Sequence, residues 1–191
     1  MLLAMSGPRG RDPVRAALIE AGADLFSQHG PANVSVRQVA KAAGVNHGLV
    51  HRHFGSKDGL LKAVVESLRG DVEALLGESA EDEALVPLLV GLAGSGDPRY
   101  YRIVAHAVLD GMEITDLQER FPVVERMLDA ARRGEGRLRP EAQVTGLMAS
   151  GLGLLLFGDY VAQATGQTPE EFEASRTELI RYVVRQLTVV D

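Results

Sequence analysis

Residues 44–61 read GVNHGLVHRHFGSKDGLL and hold three of the chain's five histidines, His47, His51 and His53, with Arg52 among them and Lys57 just beyond. Side chains of these types suit three chemistries. His47 and His51 stand four apart, which puts two imidazoles on one helix face in the manner of a two-histidine metal site. Zinc takes three or four ligands, the chain has no cysteine, and Arg52 would repel the ion, so no metal is assigned. Catalysis needs a partner that orients each histidine, and no serine or aspartate is spaced to do so locally. No catalytic residue or cofactor is assigned, and the chain is not read as an enzyme. The remaining chemistry is recognition of a polyanion by a row of donors and a fixed cation.

The elements that must hold this row are short helices. Residues 13–29 carry Val14, Leu18, Ala21, Leu25 and Phe26 at three- and four-residue spacing, and Gly30-Pro31 ends the run. In the following VSVRQVAKAAGV, Ser35 and Gln38 have the spacing of a capping box, with Val34 and Val39 as its staple. Gly44 supplies the left-handed residue that stops this helix after about two turns. Asn46 caps a third helix through Phe54, and Ser56 caps a longer fourth with Leu60, Leu61, Val64, Val65 and Leu68 as its buried stripe.

On the third helix, Val50 and Phe54 fall together and face the core. The opposite arc then presents His47, Gly48, His51 and Arg52, with Leu49 at its edge and His53 flanking the core side. Ala40, Gly44 and Val50 have the spacing of a helix-turn-helix, whose second helix enters a DNA major groove about 12 Å wide. Arg52 suits guanine or phosphate, the histidines donate to either, Leu49 meets a thymine methyl, and Gly48 admits a close backbone. Ser35, Arg37 and Lys57, at two helix N-termini, suit phosphates.

The stretch SVRQVAKAAGVNHGLVHRHFGSKDGLL, from the Ser35 cap through Ala40, Gly44-Val45 and Phe54 to Ser56-Lys57 and Leu60, resembles the DNA-binding signature of the TetR family of bacterial transcriptional regulators. The resemblance is close over about a third of the chain and holds in outline beyond it. It implies a homodimer on a palindromic operator, released when a small molecule binds the C-terminal half. By position it makes Arg37 a polar contact of the second helix, sets residues 47–49 and Arg52 against bases, and sets His53 and Lys57 against the backbone. Asn46 is counted with this set. The family usually has tyrosine where this chain has His51; an imidazole reaches less far, and its charge makes DNA affinity depend on pH.

Charge is distributed accordingly. The net charge is −6, yet residues 1–62 carry eight Lys/Arg against four Asp/Glu, and the remainder carries 12 against 22. A basic end for DNA and an acidic end kept off it follow. Beyond Gly70 the pattern stays helical. Asp97-Pro98 opens a helix closed by Gly111, Pro122 opens another that runs to the glycines at 134 and 136, and Pro87 kinks the helix it sits in. Residues 141–157 are apolar nearly all round and rich in small residues, and Thr168-Pro169-Glu170-Glu171 caps a last amphipathic helix.

The chain is therefore expected to be all-α. A helix-turn-helix domain at 11–70 precedes an effector-binding and dimerisation domain at 71–191, with dimer contacts through 141–157 and 169–188. Tyr100, Tyr101, His106, Met112, Met127 and Phe157 are candidates to line a pocket for an apolar or aromatic effector. Arg9 and Arg11 are candidates for a minor-groove arm. The start MLLAMSGPRGR lacks the features of a signal peptide, and the apolar run from Gly146 to Gly158 is thirteen residues, short for a bilayer. A cytoplasmic location is expected. The rival functions are an architectural DNA-binding protein without effector, and a small helical metal-dependent enzyme.

Overall fold

A computed structural model describes residues 10–77, 97–133 and 138–188, and among them all regular structure is helical. The helices are α1 (Arg11–His29), α2 (Val36–Ala42), α3 (Gly48–Phe54), α4 (Lys57–Gly77), α5 (Pro98–Leu109), α6 (Ile114–Leu117), α7 (Pro122–Arg133), α8 (Pro140–Ala164) and α9 (Pro169–Thr188), with a 3-10 turn at Pro31–Asn33. The sequence pattern did not contain α6 or the 3-10 turn. Arg9, Pro87 and the glycines at 134 and 136 lie outside the described residues. Arg11 opens α1, so it is part of a helix and not of an extended arm.

The chain divides into two compact units, one of residues 1–70 with 97–119 and one of residues 71–96 with 120–191. The first unit is thus discontinuous. Its core gathers Leu18 and Phe26 of α1, Val39 of α2, Val50 of α3, Leu60, Leu61, Val64 and Val65 of α4, and Ile103 of α5, all at most 1% exposed. Ala107 and Leu117 belong to the same cluster. The sequence division at Gly70 had assigned residues 97–119 to the other domain.

Polar contacts also tie α5 to α1. Asp97 caps α5 by accepting the Arg99 N–H at 2.9 Å, and Pro98 fills the first helical position. The Arg99 guanidinium binds Asp97 at 2.6 Å and reaches Glu20 at 2.7 Å and Asp24 at 2.6 Å on α1. Its bond to Asp97, then that to Glu20, raises the guanidinium pKa further, and the Arg99 bond holds Asp97 below the ordinary carboxylate range. Where α1 ends, Gly30 adopts φ 78°, ψ 146°, a conformation side chains disfavour. A Cβ built there would stand 3.1 Å from Nδ1 of His106 on α5.

In the second unit, Met127, Ala130 and Ala131 of α7 are buried, as are Gln143, Val144 and Leu147 of α8 and Ile180 of α9. Thr168 and Glu171 form the expected cap of α9, each side chain meeting the other's backbone N–H, at 2.8 and 3.2 Å. A Cβ at Gly158 would meet the Phe172 ring at 3.1 Å, so this glycine permits α8 and α9 to pack closely, whereas Gly146, Gly151 and Gly153 face open space.

Helix α8 corrects one expectation. It is 25 residues long and contains an 18-residue window of mean hydropathy 1.4, only 11% buried within the chain. By length and composition alone it would cross a bilayer. The thirteen-residue run understated it, because Ala142 and Val144 before it and Tyr160, Val161, Ala162 and Ala164 after it extend the apolar surface past Thr145 and Asp159. Phe157 and Tyr160 on α8, and Leu179 and Tyr182 on α9, are exposed large side chains.

Candidate nucleic-acid interface

The local sequence builds α2 and α3 with few alternatives. Ser35 Oγ accepts the Gln38 N–H at 3.3 Å, and the Gln38 side chain accepts the Ser35 N–H at 2.8 Å, completing the capping box. The Ser35 hydroxyl donates to the same Gln38 oxygen at 2.7 Å, so its proton is already engaged. At the other end, Val45 N–H bonds Ala40 O at 2.9 Å and Gly44 N–H bonds Lys41 O at 3.1 Å around Gly44 at φ 68°. These are the two bonds of a Schellman stop. Asn46 Oδ1 then accepts the Gly48 N–H at 2.8 Å. Helix α3 therefore begins at Gly48, with His47 rather than Asn46 at its cap, one residue later than the sequence predicts.

Seven residues are too few for a helix that stands alone in water, so α3 depends on its seat. Val50 is fully buried, and Phe54 and Leu49 are half-buried against the same core. His47, Gly48, His51 and Arg52 are exposed together on the far side, with Asn46 beside them, while His53 is half-buried and its ring tilts against Phe54 at 6.1 Å. After Phe54 the chain turns through Gly55 at φ 75°, and Ser56 Oγ accepts the Gly59 N–H at 3.0 Å to cap α4. Lys57, half-buried, is the first residue of that helix. Arg37 is exposed on the first turn of α2.

No Asp or Glu occurs from Leu25 to Lys57, a stretch that carries Arg37, Lys41, Arg52 and Lys57. The exposed edge of α2 and α3 is therefore positive whatever the state of its histidines. The charge balance over residues 1–62 blurs this sharper boundary. Arg15 of α1 adjoins the same edge, its guanidinium 5.5 Å from the centre of the Phe54 ring. Nothing in the local pattern marks that contact, because the two residues are far apart in sequence.

The structure refines the role of His51. Its Nδ1 lies 3.0 Å from the Gly55 carbonyl oxygen, which only accepts, so Nδ1 carries the hydrogen. In the neutral ring the outward Nε2 is then a lone pair, and it donates to a phosphate only when the ring is protonated. His47 and His51 are not joined by a third ligand: among the described residues no group of three His, Cys, Asp or Glu side chains is placed to hold a metal ion.

The candidate pocket residues divide between the units. Tyr100, Tyr101, His106 and Met112 belong to the first. Tyr100 donates to Gln118 at 2.6 Å, its ring meets that of Tyr101 edge-on at 5.0 Å, and burial raises both phenol pKa values. Met112 packs half-buried on the core, and His106 lies against Gly30. Met127, buried, and Phe157, 61% exposed, belong to the second. An open hollow of about 680 Å³ on α9 is lined by Glu173, Ala174, Thr177, Glu178, Arg181 and Tyr182, and includes none of the six.

A seated short helix with an acid-free, donor-rich outer face, joined by a Schellman turn to a capped helix before it, defines a helix-turn-helix DNA-binding protein. Residues 18–64 match the family described as bacterial regulatory proteins, tetR family. The chain is 39% identical over 160 residues to the HTH-type transcriptional repressor Rv3405c of Mycobacterium tuberculosis, covering 83% of this chain and 81% of that one. It is 29% identical over 182 residues to the regulator BetI of Rhizobium meliloti, covering 87% and 86%. In fold it is similar to a transcriptional regulator from Rhodococcus sp. Rha1 (TM-score 0.66, 24% identity, 93% and 99% of the two chains). It is also similar to NalD of Pseudomonas aeruginosa (TM-score 0.61, 23% identity, 90% and 96%). The chain belongs to the TetR family of bacterial transcriptional regulators.

Proposed function

We propose that the protein is a cytoplasmic, homodimeric repressor that reads a palindromic operator through α3 and is released by a small apolar or aromatic effector. The observation that carries the DNA half is the two-sidedness of α3, with Val50 inward and His47, Gly48, His51 and Arg52 outward. His47, Gly48, Leu49 and Arg52 meet base edges. Arg37, His53 and Lys57 meet phosphates, as does His51 when protonated, and the N–H groups of Val36 and Arg37 that follow the Ser35 cap add to them. Asn46 holds the approach to α3 by accepting the Gly48 N–H.

The dimer reading rests on α8 and α9. An apolar helix with 11% of its hydropathic window covered, glycines that face open space and exposed Phe157, Tyr160 and Tyr182 must bury that surface elsewhere. A second copy of the chain supplies a matching face, and two-fold symmetry is what a palindromic site requires. This reading is preferred to a membrane span because the same chain carries a helix-turn-helix. The repressor reading draws on the repressor named above, and the effector half on family membership alone.

Selecting bound duplexes from a random pool tests the proposal. An inverted repeat whose half-site centres lie about 34 Å apart, or a multiple of it, is expected. Equal binding to unrelated duplexes at physiological salt would instead favour an architectural protein. Gly48→Glu, which adds bulk and negative charge to the groove-facing side, should abolish operator binding while leaving the fold intact; retained affinity would mean that another face docks.

A further inference from the structure

We infer that Arg15, on the first helix, is a further contact to the DNA backbone and a positioning residue for the end of α3. The inference rests on the reading that α3 meets the duplex. The guanidinium carbon lies 5.5 Å from the Phe54 ring centre, the geometry of a cation–π pair. Phe54 is the last residue of α3, and Gly55, Ser56 and Lys57 follow it directly. A cation that belongs to α1 by sequence therefore belongs by position to the joint between α3 and α4.

Two further observations point outward from that joint. Arg15 is exposed although it is stacked, and among the described residues no carboxylate lies within ion-pairing distance of it. Arg99 in the same unit is the contrast, its charge being held by three carboxylates in a structural tie. A guanidinium carries five donors in one plane, and stacking one face leaves its N–H edge open while fixing its orientation. Less rotamer freedom is then lost when that edge takes a phosphate oxygen. The stretch it adjoins, from Leu25 to Lys57, holds no acid to compete for it.

The test is the salt dependence of operator affinity, measured by fluorescence anisotropy on the full-length protein and a duplex taken from the selection, between 0.1 and 0.3 M NaCl. Each phosphate contact contributes about 0.9 to the slope of log K against log salt, so Arg15→Gln in a two-protomer complex should lower it by about 1.8. The wild-type advantage then shrinks roughly sevenfold across that salt range. Arg15→Lys should keep the slope. A wild-type slope in Arg15→Gln overturns the inference, as does a slope in Arg15→Lys that falls as far as the glutamine variant's. Lys57→Ala separates the two levels. If it lowers the slope and Arg15→Gln does not, α3 docks as proposed and Arg15 only packs on Phe54. If neither lowers it, the docking face itself is wrong.

Discussion

Replacing Gly30 by alanine tests the joint between α1 and α5 more directly than any change at the DNA face. Gly30 sits at φ 78°, ψ 146°, close to a region populated almost only by glycine. An L-residue held there costs about 1–3 kcal/mol. The new Cβ would also stand 3.1, 3.2 and 3.4 Å from Nδ1, Cγ and Cβ of His106, so the imidazole must give by a few tenths of an ångström. That crowding adds about 1 kcal/mol, at the low end of overpacking. The sum, about 2–4 kcal/mol, should lower the thermal midpoint by about 4–16 °C for a chain of this size. Thermal unfolding of the wild type, Gly30→Ala, His106→Ala and the double variant separates the two parts. The backbone cost survives in the His106→Ala background and the contact cost does not, so the alanine penalty should fall there by roughly a third. An unchanged midpoint in Gly30→Ala would refute the conformational argument. A penalty that vanished without His106 would place all of it in the contact. His106 is then a packing partner, a role at odds with lining an effector pocket.

Three other outcomes are expected. Val50→Ala removes the fully buried anchor of α3 and should cost about 2–3 kcal/mol of stability, and operator affinity should fall with it; an unchanged unfolding midpoint would mean that the helix is seated otherwise. Arg52→Ala should leave the midpoint unmoved and lose about 1–3 kcal/mol of discrimination between operator and random duplex; a uniform loss across sequences would move this residue to the phosphate contacts. Asp97 is held below its ordinary range by Arg99, so its stabilisation is fully present above the unfolded carboxylate value of about 3.9 and is lost as pH falls through the lower folded value. Asp97→Asn should flatten acid unfolding below about pH 4, and a variant with the wild-type acid limb would show that the Arg99 cluster contributes nothing there.

What was legible in the sequence is what local rules govern. Ser35 and Gln38, Gly44, Ser56, Asp97-Pro98 and Thr168 with Glu171 each act within a few residues of themselves, and each stands in the structure as a cap or a stop. The inward set Val50 and Phe54 followed from helical period alone. What the sequence concealed depends on distant partners. Arg99 finds Glu20 and Asp24 across 79 and 75 positions, and no periodicity announces that residues 97–119 complete the first core. The His51 tautomer was equally hidden, because it is set by a carbonyl freed at the end of α3 rather than by the histidine's own neighbours. The length of α8 was underestimated because Thr145 and Asp159 bound the unbroken apolar run without interrupting the helix.

The discontinuous first unit bears on how this regulator is taken apart and recombined. Cutting after Gly70, where the charge pattern invites a cut, would strip Ile103, Ala107 and Leu117 from the core and leave Glu20 and Asp24 without their counterion. A head grafted at that point onto another sensor would arrive with an open seam. A faithful transplant carries the segment from Asp97 to Glu119 along with it, because those residues close the head's own core.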